Sequence, residues 1–550
     1  MNEFEMAMQR NPHLREYIAK FSKETNTTPE FMTKLSGDLP AFPNILLPVG
    51  DPVFIHLYGT EKSAKVDYIA IEPVLLPYER EKLDEVKDLI LEKAPNEPVP
   101  ASETELREQI SKLFGESVVV SSGGSGNAGG SDTQKKNIPE KLGFGIISHK
   151  VQLTPIEFNK MAYYLERDIV GSGPIEPIIR DPYLEDIHSI GVDNIYIIHK
   201  KYDMIKTNLG FGDQKHLDDW MRSMSERIGR PVSESTPIAD GALPDGSRIN
   251  IIYSEDISIA GSSFTMRKFS EESVSIIQLI NWGGINSEMA AYLWLCLENG
   301  MSIFFSGETA SGKTTMLNAC LVFIQEKSKI YSIEDTPEVL PPHDVWQRLI
   351  TRESGPVDSR VDTFLLLKAA LRSRPNYIIV GEIRGAEGAT AFQAMQTGHP
   401  VIATFHASAV KKMIQRLTGD PINIPVTFID NLNVAIILQA VYVKGKFLRR
   451  CLSIEEIEGY YEDVGGVVTR AVFMWDPETD IHSFRGLNNS FILEDKIAKI
   501  QGYEDTRKIY DDLFLRARIL DEMRNRGIDQ YDDVYEIIKN FTKHGLDGLP

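Results

Sequence analysis

The sequence predicts an α/β protein whose C-terminal half is built around a parallel sheet. From about residue 288, short apolar runs ("MSIFFS", "KIYSIED", "NYIIVGE" and "VIATFHA") alternate with stretches of helical periodicity. This alternation is the pattern of buried parallel strands joined by helices. The first run leads directly into "GETASGKTT" (307–315), a glycine-rich turn followed by an apolar helical stretch. We therefore expect a sheet that carries a phosphate-binding loop at its edge.

The overall composition is that of a multidomain globular protein. At 550 residues the chain is too long for one hydrophobic core. Lys and Arg number 59 against 79 acids, a net charge of −20, which argues against a protein that coats nucleic acid. The three cysteines lie far apart. Their spacing excludes a disulfide framework and a four-thiolate zinc site and favours a reducing cytoplasm.

Residues 1–115 are predicted to form an α+β extension. A helical pattern ("HLREYIAKFSKE") is followed by strand-like runs ("DPVFIHLYG", "VDYIAIEPVLL"). A flexible Gly/Ser linker is predicted over 116–140, because "SSGGSGNAGGSDTQKKN" could bury no apolar area.

A second α/β domain is predicted over 141–270. It begins near "TPIEFNKMAYYLERDIVG", which has a Thr cap with Glu three positions later, and it continues with strand-like segments. Residues 271–287 are predicted to be a connector, and 288–550 the sheet domain with a C-terminal helical tail from about 490.

No membrane span is expected. The N-terminal segment carries charges throughout, unlike a signal peptide. The longest apolar run, "VAIILQAVYV" (434–443), is about half the length that a span needs. Any association with a membrane is therefore expected to be peripheral.

The loop after the first strand matches the pattern GxxxxGK[ST]. Glycines allow successive backbone N–H groups to point at phosphate, and the next helix presents its positive end to it. Lys313 is predicted to neutralise β/γ oxygens and Thr314 to ligate Mg²⁺. The predicted nucleotide-binding residues are Gly307, Glu308, Thr309, Ala310, Ser311, Gly312, Lys313, Thr314 and Thr315.

Three further strands end in residues suited to hydrolysis. Glu382 ends "NYIIVGE", at a Walker B position where Asp is usual, and Glu334 and Asp335 end "IYSIED". His406 occupies the equivalent place in "VIATFHAS". Carboxylates at this edge would bind metal or orient water, and a neutral imidazole would sense the terminal phosphate.

Four motifs together resemble the type II/type IV secretion ATPase superfamily: "GETASGKT" (Walker A), "IEDTPE" (Asp box), "RSRPNYIIVGEIR" (Walker B) and "ATFHA" (His box). Upstream, "GSGPIEPIIRDPYLEDIHSIG" and "DGSRINI" are similar to that family's PAS-like N-terminal domain. The resemblance spans about 140–480 and implies a RecA-like P-loop ATPase core with a PAS-like α/β domain, an N-terminal extension and a helical C-terminal cap. Within the family, the chain most resembles the archaellum (archaeal flagellum) motor ATPase.

Two departures from the bacterial pattern favour the archaeal branch. Bacterial relatives carry a four-cysteine metal insertion, which three scattered cysteines cannot form, and they usually have Asp where Gly385 stands.

The resemblance implies a role for each matching residue. Lys313 and Thr314 match the phosphate and magnesium positions. Glu334 matches the glutamate that polarises water, Glu382 the Walker B acid and metal ligand, and His406 the sensor. Arg248 ("DGSR") and Arg267 ("FTMRKF") match arginines that the N-terminal domain places on nucleotide phosphates; a surface salt bridge is the alternative for both. Which acid is the main catalytic base stays open.

The resemblance also implies an assembly. The expected cofactors are ATP and Mg²⁺. The expected partners are five further copies in a homo-hexamer, a polytopic membrane platform protein and accessory cytoplasmic ring proteins, with no nucleic acid. The protein is expected in the cytoplasm, at the inner face of the cell membrane.

Several other functions share these motifs. Within the family, the alternatives are an archaeal type IV pilus assembly ATPase and a type II-like secretion ATPase. Outside it are a nucleic-acid translocase, disfavoured by the charge of −20, and a non-hydrolysing scaffold, disfavoured by the presence of the lysine, both acids and the histidine. A small-molecule kinase would leave the upstream domain unexplained.

Overall fold

The computed structural model describes residues 2–35, 39–60, 65–121, 150–269, 273–352, 360–443 and 446–549. The chain divides into an N-terminal unit, Met1–Phe269, and a C-terminal unit, Ser270–Pro550. The predicted boundary near 270 coincides with this division.

Ten strands of the N-terminal unit form one sheet in the order β1-β2-β3-β4-β9-β8-β7-β12-β11-β10. A separate two-stranded parallel sheet is formed by β5 and β6. The strands are β1 (Glu30–Phe31), β2 (Asn44–Pro48), β3 (Phe54–Thr60), β4 (Lys65–Ile71), β5 (Val118–Val120), β6 (Val151–Leu153), β7 (Leu184–Ile190), β8 (Ile195–His199), β9 (Asp203–Thr207), β10 (Ile238–Ala242), β11 (Arg248–Ile252) and β12 (Ser263–Arg267).

The large sheet joins the two segments that the sequence separates into an extension and a PAS-like domain. Strand β4 pairs in parallel with β9, with Tyr68 opposite Thr207. The Tyr68 hydroxyl donates a 2.8 Å hydrogen bond to the buried carboxylate of Asp181. Burial raises the pKa of Asp181. One hydrophobic core contains Leu57 of β3 and Ile187 of β7, so the two segments fold as parts of one unit.

The described residues of this unit form seven α-helices, which pack against the sheets. They are α1 (Glu3–Arg10), α2 (Pro12–Thr25), α3 (Pro77–Lys93), α4 (Glu103–Ser117), α5 (Pro155–Leu165), α6 (Glu176–Ile179) and α7 (Gln214–Arg227). The predicted Thr cap is confirmed: Thr154 and Glu157 form a capping box at the start of α5.

The first residues of the linker predicted over 116–140 belong to regular structure instead. Helix α4 extends to Ser117, and Val118–Val120 pair with Val151–Leu153. The buried side chain of Val118 belongs to the core formed with α3 and α5. The rest of the predicted linker lies outside the described residues, apart from Ser121.

The C-terminal unit is built on a nine-stranded sheet in the order β15-β14-β16-β17-β13-β18-β19-β20-β21. In this order, the six strands from β15 to β18 are parallel to one another, and β19, β20 and β21 are each antiparallel to the strand before them. The strands are β13 (Ile303–Gly307), β14 (Ile330–Glu334), β15 (Trp346–Ile350), β16 (Tyr377–Ile383), β17 (Val401–Phe405), β18 (Val434–Val443), β19 (Lys446–Tyr461), β20 (Gly466–Asp476) and β21 (Ile481–Phe484).

The four apolar runs that predicted parallel strands are β13, β14, β16 and β17, which confirms this part of the fold. The apolar run at 434–443 is β18, a strand inside this sheet. No helix in the described part of the chain has the length and apolar character to cross a bilayer.

Helices cover both faces of this sheet, with one hydrophobic core on each. They are α8 (Ile276–Asn281), α9 (Ser287–Glu298), α10 (Lys313–Cys320), α11 (Thr363–Arg372), α12 (Glu387–Gln396), α13 (Val410–Thr418), α14 (Ala498–Ile500), α15 (Ile509–Asn525) and α16 (Tyr531–His544). The predicted connector includes α8, whose Ile276 and Ile277 are buried in the same core as Leu513 and Val534 of the tail helices. Connector and tail are therefore integral parts of the C-terminal unit.

His56 makes the stability of the N-terminal unit depend on pH. Its ring is fully buried, with nitrogens 2.7 Å from the Tyr17 hydroxyl and 2.9 Å from the Asn44 amide oxygen. Burial lowers the pKa of His56 from 6.5 to about 4. The unfolded chain binds this proton more readily, so the stabilisation is complete above pH 6.5 and is lost as the pH falls towards 4. The loss approaches about 3 kcal/mol.

We expect hydrogen exchange in β3, corrected for its intrinsic pH dependence, to become faster as the pH falls from 7 to 4.5. The variant His56→Gln should show a weaker pH dependence, because it removes the titrating group. The exposed His544→Gln serves as the control. An unchanged pH dependence in His56→Gln would contradict the assignment.

Candidate functional site

The parallel strand order brings the predicted site residues to one edge of the sheet. Glu334 is the last residue of β14, Glu382 lies near the end of β16, and His406 follows β17. The loop that contains Lys313 follows β13, which is adjacent to β17. Because these strands are parallel, all four carboxyl ends lie at the same edge, where α/β proteins bind ligands.

The predicted phosphate loop has the required backbone. Strand β13 ends at Gly307, and helix α10 starts at Lys313. A Cβ at Gly307 would lie 2.3 Å from the carbonyl oxygen of Leu438, so only glycine fits there. Gly312 has a φ of +86°, the left-handed conformation that glycine adopts without strain. Thr314 and Thr315 lie in the first turn of α10, half-buried.

Side chains hold the loop from two sides. Lys313 Nζ and Ser311 Oγ donate to the carbonyl of Glu308 at 2.9 and 2.8 Å. Arg449 of β19 donates to the carbonyl of Ala310 at 3.0 Å. Thr309, like Glu308 and Ala310, is exposed at the outer side of the loop.

Glu382 is the centre of a charged cluster next to the loop. Its two carboxylate oxygens lie 2.5 Å from Arg384 Nη2 and 3.0 Å from His406 Nε2. Burial raises the pKa of Glu382, but the hydrogen bond and charge of Arg384 and the charges of His406 and Lys313 outweigh it, so the pKa lies below its ordinary value. Glu382 is therefore ionised at neutral pH.

His406 is neutral at the same pH. Burial and the positive charge of Lys313 lower its pKa, and the charge of Glu382 only partly opposes them. A neutral imidazole can donate from one nitrogen and accept at the other.

Glu334 has a different environment from Glu382. Its side chain is 2% exposed and packs against Gly381, the neighbour of Glu382 in sequence. One oxygen accepts the backbone N–H groups of Glu338 and Val339, both at 2.7 Å. Burial raises the pKa of Glu334 in spite of these bonds.

The second carboxylate oxygen of Glu334 lies 3.4 Å from Arg348 Nε. It forms no hydrogen bond within the described part of the chain. This buried oxygen therefore keeps unused hydrogen-bond acceptor capacity beside the Arg348 guanidinium.

Arg248 and Arg267 belong to the N-terminal unit. They face each other in register on β11 and β12. Arg248 pairs with Asp240 at 2.5 Å and Arg267 with Asp186 at 3.3 Å. Both are partly exposed, so the predicted contact with nucleotide stays a prediction.

The structure adds four basic residues that the sequence analysis did not select. Arg384 contacts Glu382, and Arg449 contacts the loop. Lys412 and Arg416 of α13 line a cleft of about 240 Å³ beside Gly307. Arg384 stands inside the Walker B motif and could have been found there, whereas Arg449 is 139 residues from its partner Ala310.

A parallel sheet, a phosphate loop and strand-terminal acids define the class of P-loop α/β proteins. The profile of the family described as "Type II/IV secretion system protein" matches residues 168–439. The matched segment contains all four motifs on which the resemblance rests, so the chain belongs to this family.

A relative that aligns over the full length of this chain is the uncharacterized protein MJ0900 of Methanocaldococcus jannaschii. It is 56% identical over 551 residues, covering 100% of this chain and 98% of the relative. A second, MJ1287 of the same organism, is 42% identical over 44% of this chain and 88% of its own length. Among solved structures, the Legionella pneumophila ATPase DotB is 17% identical, with a TM-score of 0.37 over 66% of this chain and 92% of that chain.

Proposed function

We propose that this protein hydrolyses ATP with Mg²⁺ at the loop 307–315. The observation that carries the proposal is the position of Lys313 beside an ionised Glu382 and a neutral His406 at the edge of a parallel sheet. Membership of a secretion-system family supports it.

The donor atoms suit the cofactors. Gly307 leaves no side chain between the loop and β18, and main-chain N–H groups of a loop of this kind would contact phosphate oxygens. The Thr314 hydroxyl and the Glu382 carboxylate are oxygen ligands of the kind that Mg²⁺ prefers. Magnesium, when bound, supplies neutralisation of the charge on the β- and γ-phosphate oxygens.

The remaining steps belong to the chain's own residues. Lys313 would exchange the Glu308 carbonyl for phosphate oxygens. The oxygen of a water molecule forms a bond to the γ-phosphorus, and the bridging oxygen leaves with ADP. Glu334 takes the water's proton in this proposal, because its raised pKa makes it the more basic carboxylate, while Glu382, with a lowered pKa, stays ionised as a ligand.

At the finer level, we propose that the chain works as a hexameric cytoplasmic motor that powers assembly or rotation of the archaellum through a polytopic membrane platform protein. The support is the sequence resemblance to that motor, together with the arginine pair Arg248 and Arg267 in a separate unit. Arginines supplied by another unit stabilise transition-state charge only when units close, which couples hydrolysis to movement.

Replacing Lys313 tests the phosphate site. Lys313→Ala should lower the rate of ATP hydrolysis by about 10²–10³-fold or more, because the γ-phosphate loses its fixed cation. The exposed Lys327→Ala is the matched control and should keep wild-type turnover. The measurement is the rate of phosphate release in the presence of Mg²⁺ and ATP. An active Lys313→Ala variant would mean that the loop has another role.

The two acids can be separated by matched amide substitutions. Glu334→Gln should keep ATP affinity and lose hydrolysis, because only proton transfer is removed. Glu382→Gln should in addition raise the Mg²⁺ concentration needed for nucleotide binding. Nucleotide titration at varied Mg²⁺ and single-turnover hydrolysis distinguish them; if Glu382→Gln alone binds ATP normally without hydrolysing it, the roles are exchanged.

The finer proposal predicts a ring and a motility defect. Measurement of the molecular mass in solution with a non-hydrolysable ATP analogue should give six copies, and a strictly monomeric, fully active enzyme would refute the ring.

Deletion of the gene in the native host should abolish swimming filaments. Loss of adhesive pili alone would instead favour the pilus assembly ATPase, and stimulation of hydrolysis by DNA would favour a translocase.

A further inference from the structure

Helix α13 presents two cations to the cleft beside the phosphate loop. The cleft has a volume of about 240 Å³. Its lining comprises Gly307 and Glu308 of the loop, His406, Ala407 and Ser408 after β17, and Lys412 and Arg416 of α13. The cleft therefore starts at the first residues of the loop, between β13 and β17.

The orientation of α13 is fixed by the residues that it buries, and this determines the side of the helix from which Lys412 and Arg416 project. Val410, Met413 and Leu417 are buried in the core of the sheet. Lys412 and Arg416 are four residues apart, so they project from the same side, one turn above the other. Both are exposed.

Neither cation is paired with a carboxylate in the described part of the chain. Lys412 Nζ donates to Ser408 Oγ at 3.0 Å. Arg416 donates to the carbonyl of His406 and lies 5.1 Å from the centre of the Phe405 ring. Two like charges at this spacing repel each other. A bound anion would relieve this repulsion.

We propose that Lys412 and Arg416 form a subsite for the terminal phosphate: the γ-phosphoryl group of ATP before cleavage and free orthophosphate after it. This inference rests on the proposed ATPase function. The loop amides and Lys313 account for the phosphates nearer the nucleoside. The same cleft is lined by Gly307 of the loop and by His406, the residue predicted to sense the terminal phosphate. A guanidinium can bind two oxygens of one phosphate, and the ammonium adds a point charge.

The subsite gives a specific thermodynamic expectation. ADP has no group that reaches Lys412 and Arg416, so these residues contribute to the binding of ATP and of orthophosphate and not to that of ADP. A role limited to supporting the His406 loop would instead change the affinity for both nucleotides together, or only the rate of hydrolysis.

The test uses the full-length protein with Lys412→Gln, Arg416→Gln and the double substitution. Lys411→Gln is the matched control, because Lys411 is an exposed lysine of the same helix that does not line the cleft. Affinities for a non-hydrolysable ATP analogue and for ADP are measured by calorimetry with Mg²⁺, and inhibition of hydrolysis by inorganic phosphate is measured in parallel.

We expect the double variant to bind the ATP analogue about tenfold more weakly or worse, to bind ADP as the wild type does, and to lose inhibition by inorganic phosphate. Unchanged binding of both nucleotides, or an equal loss for both, would overturn the subsite. If Arg416→Gln does not fold, Lys412→Gln alone tests the proposal, by the change in its affinity for the ATP analogue relative to the change in its affinity for ADP. A wild-type protein that binds neither nucleotide would instead overturn the proposed function itself.

Discussion

The candidate site depends on the hydrogen bonds that tie strand β13 to the segment after β17. The Ser306 hydroxyl donates to the Ala407 carbonyl at 2.8 Å and accepts the Ala407 N–H at 3.1 Å. Ser306 directly precedes Gly307, and Ala407 directly follows His406. The start of the phosphate loop and the histidine are therefore held at a fixed separation by a buried contact. A cleft between these two segments can keep its shape without a ligand.

The two acids of the site, Glu334 and Glu382, lie on neighbouring strands but have different electrostatic environments. Glu334 is desolvated and held by main-chain N–H groups, whereas Glu382 faces Arg384 and His406. Their pKa values move in opposite directions, which agrees with the separate proton-accepting and ionised roles that we propose for them. The basic residues Lys412 and Arg416 line a small cleft beside Gly307 in a chain with a net charge of −20, and the ligand that we propose for them is a small anion, not a polyanion.

Sequence reasoning succeeded where local pattern determines structure. The strand ends, the loop and the Thr154 cap follow from periodicity and residue type, and all lie where they were expected. It failed where contacts join distant segments. The sheet of the N-terminal unit is continuous because Asp67 and Tyr68 pair with residues of β9, and two residue pairs leave no recognisable pattern in either segment. Arg449 was missed for the same reason, since its ladder position is defined only by the folded hairpin.

The ion pairs of the two arginines in the N-terminal unit are compatible with the contact to nucleotide that we propose for them. Arg248 and Arg267 lie side by side and would repel each other without Asp240 and Asp186. Their side chains are 42% and 59% exposed, and ion pairs at such positions contribute only about 0–1 kcal/mol. A phosphate group, with more charge and more acceptor oxygens than a carboxylate, could displace these partners at little cost. The carboxylates would then keep both arginines extended on the same face of the sheet until a phosphate replaced them.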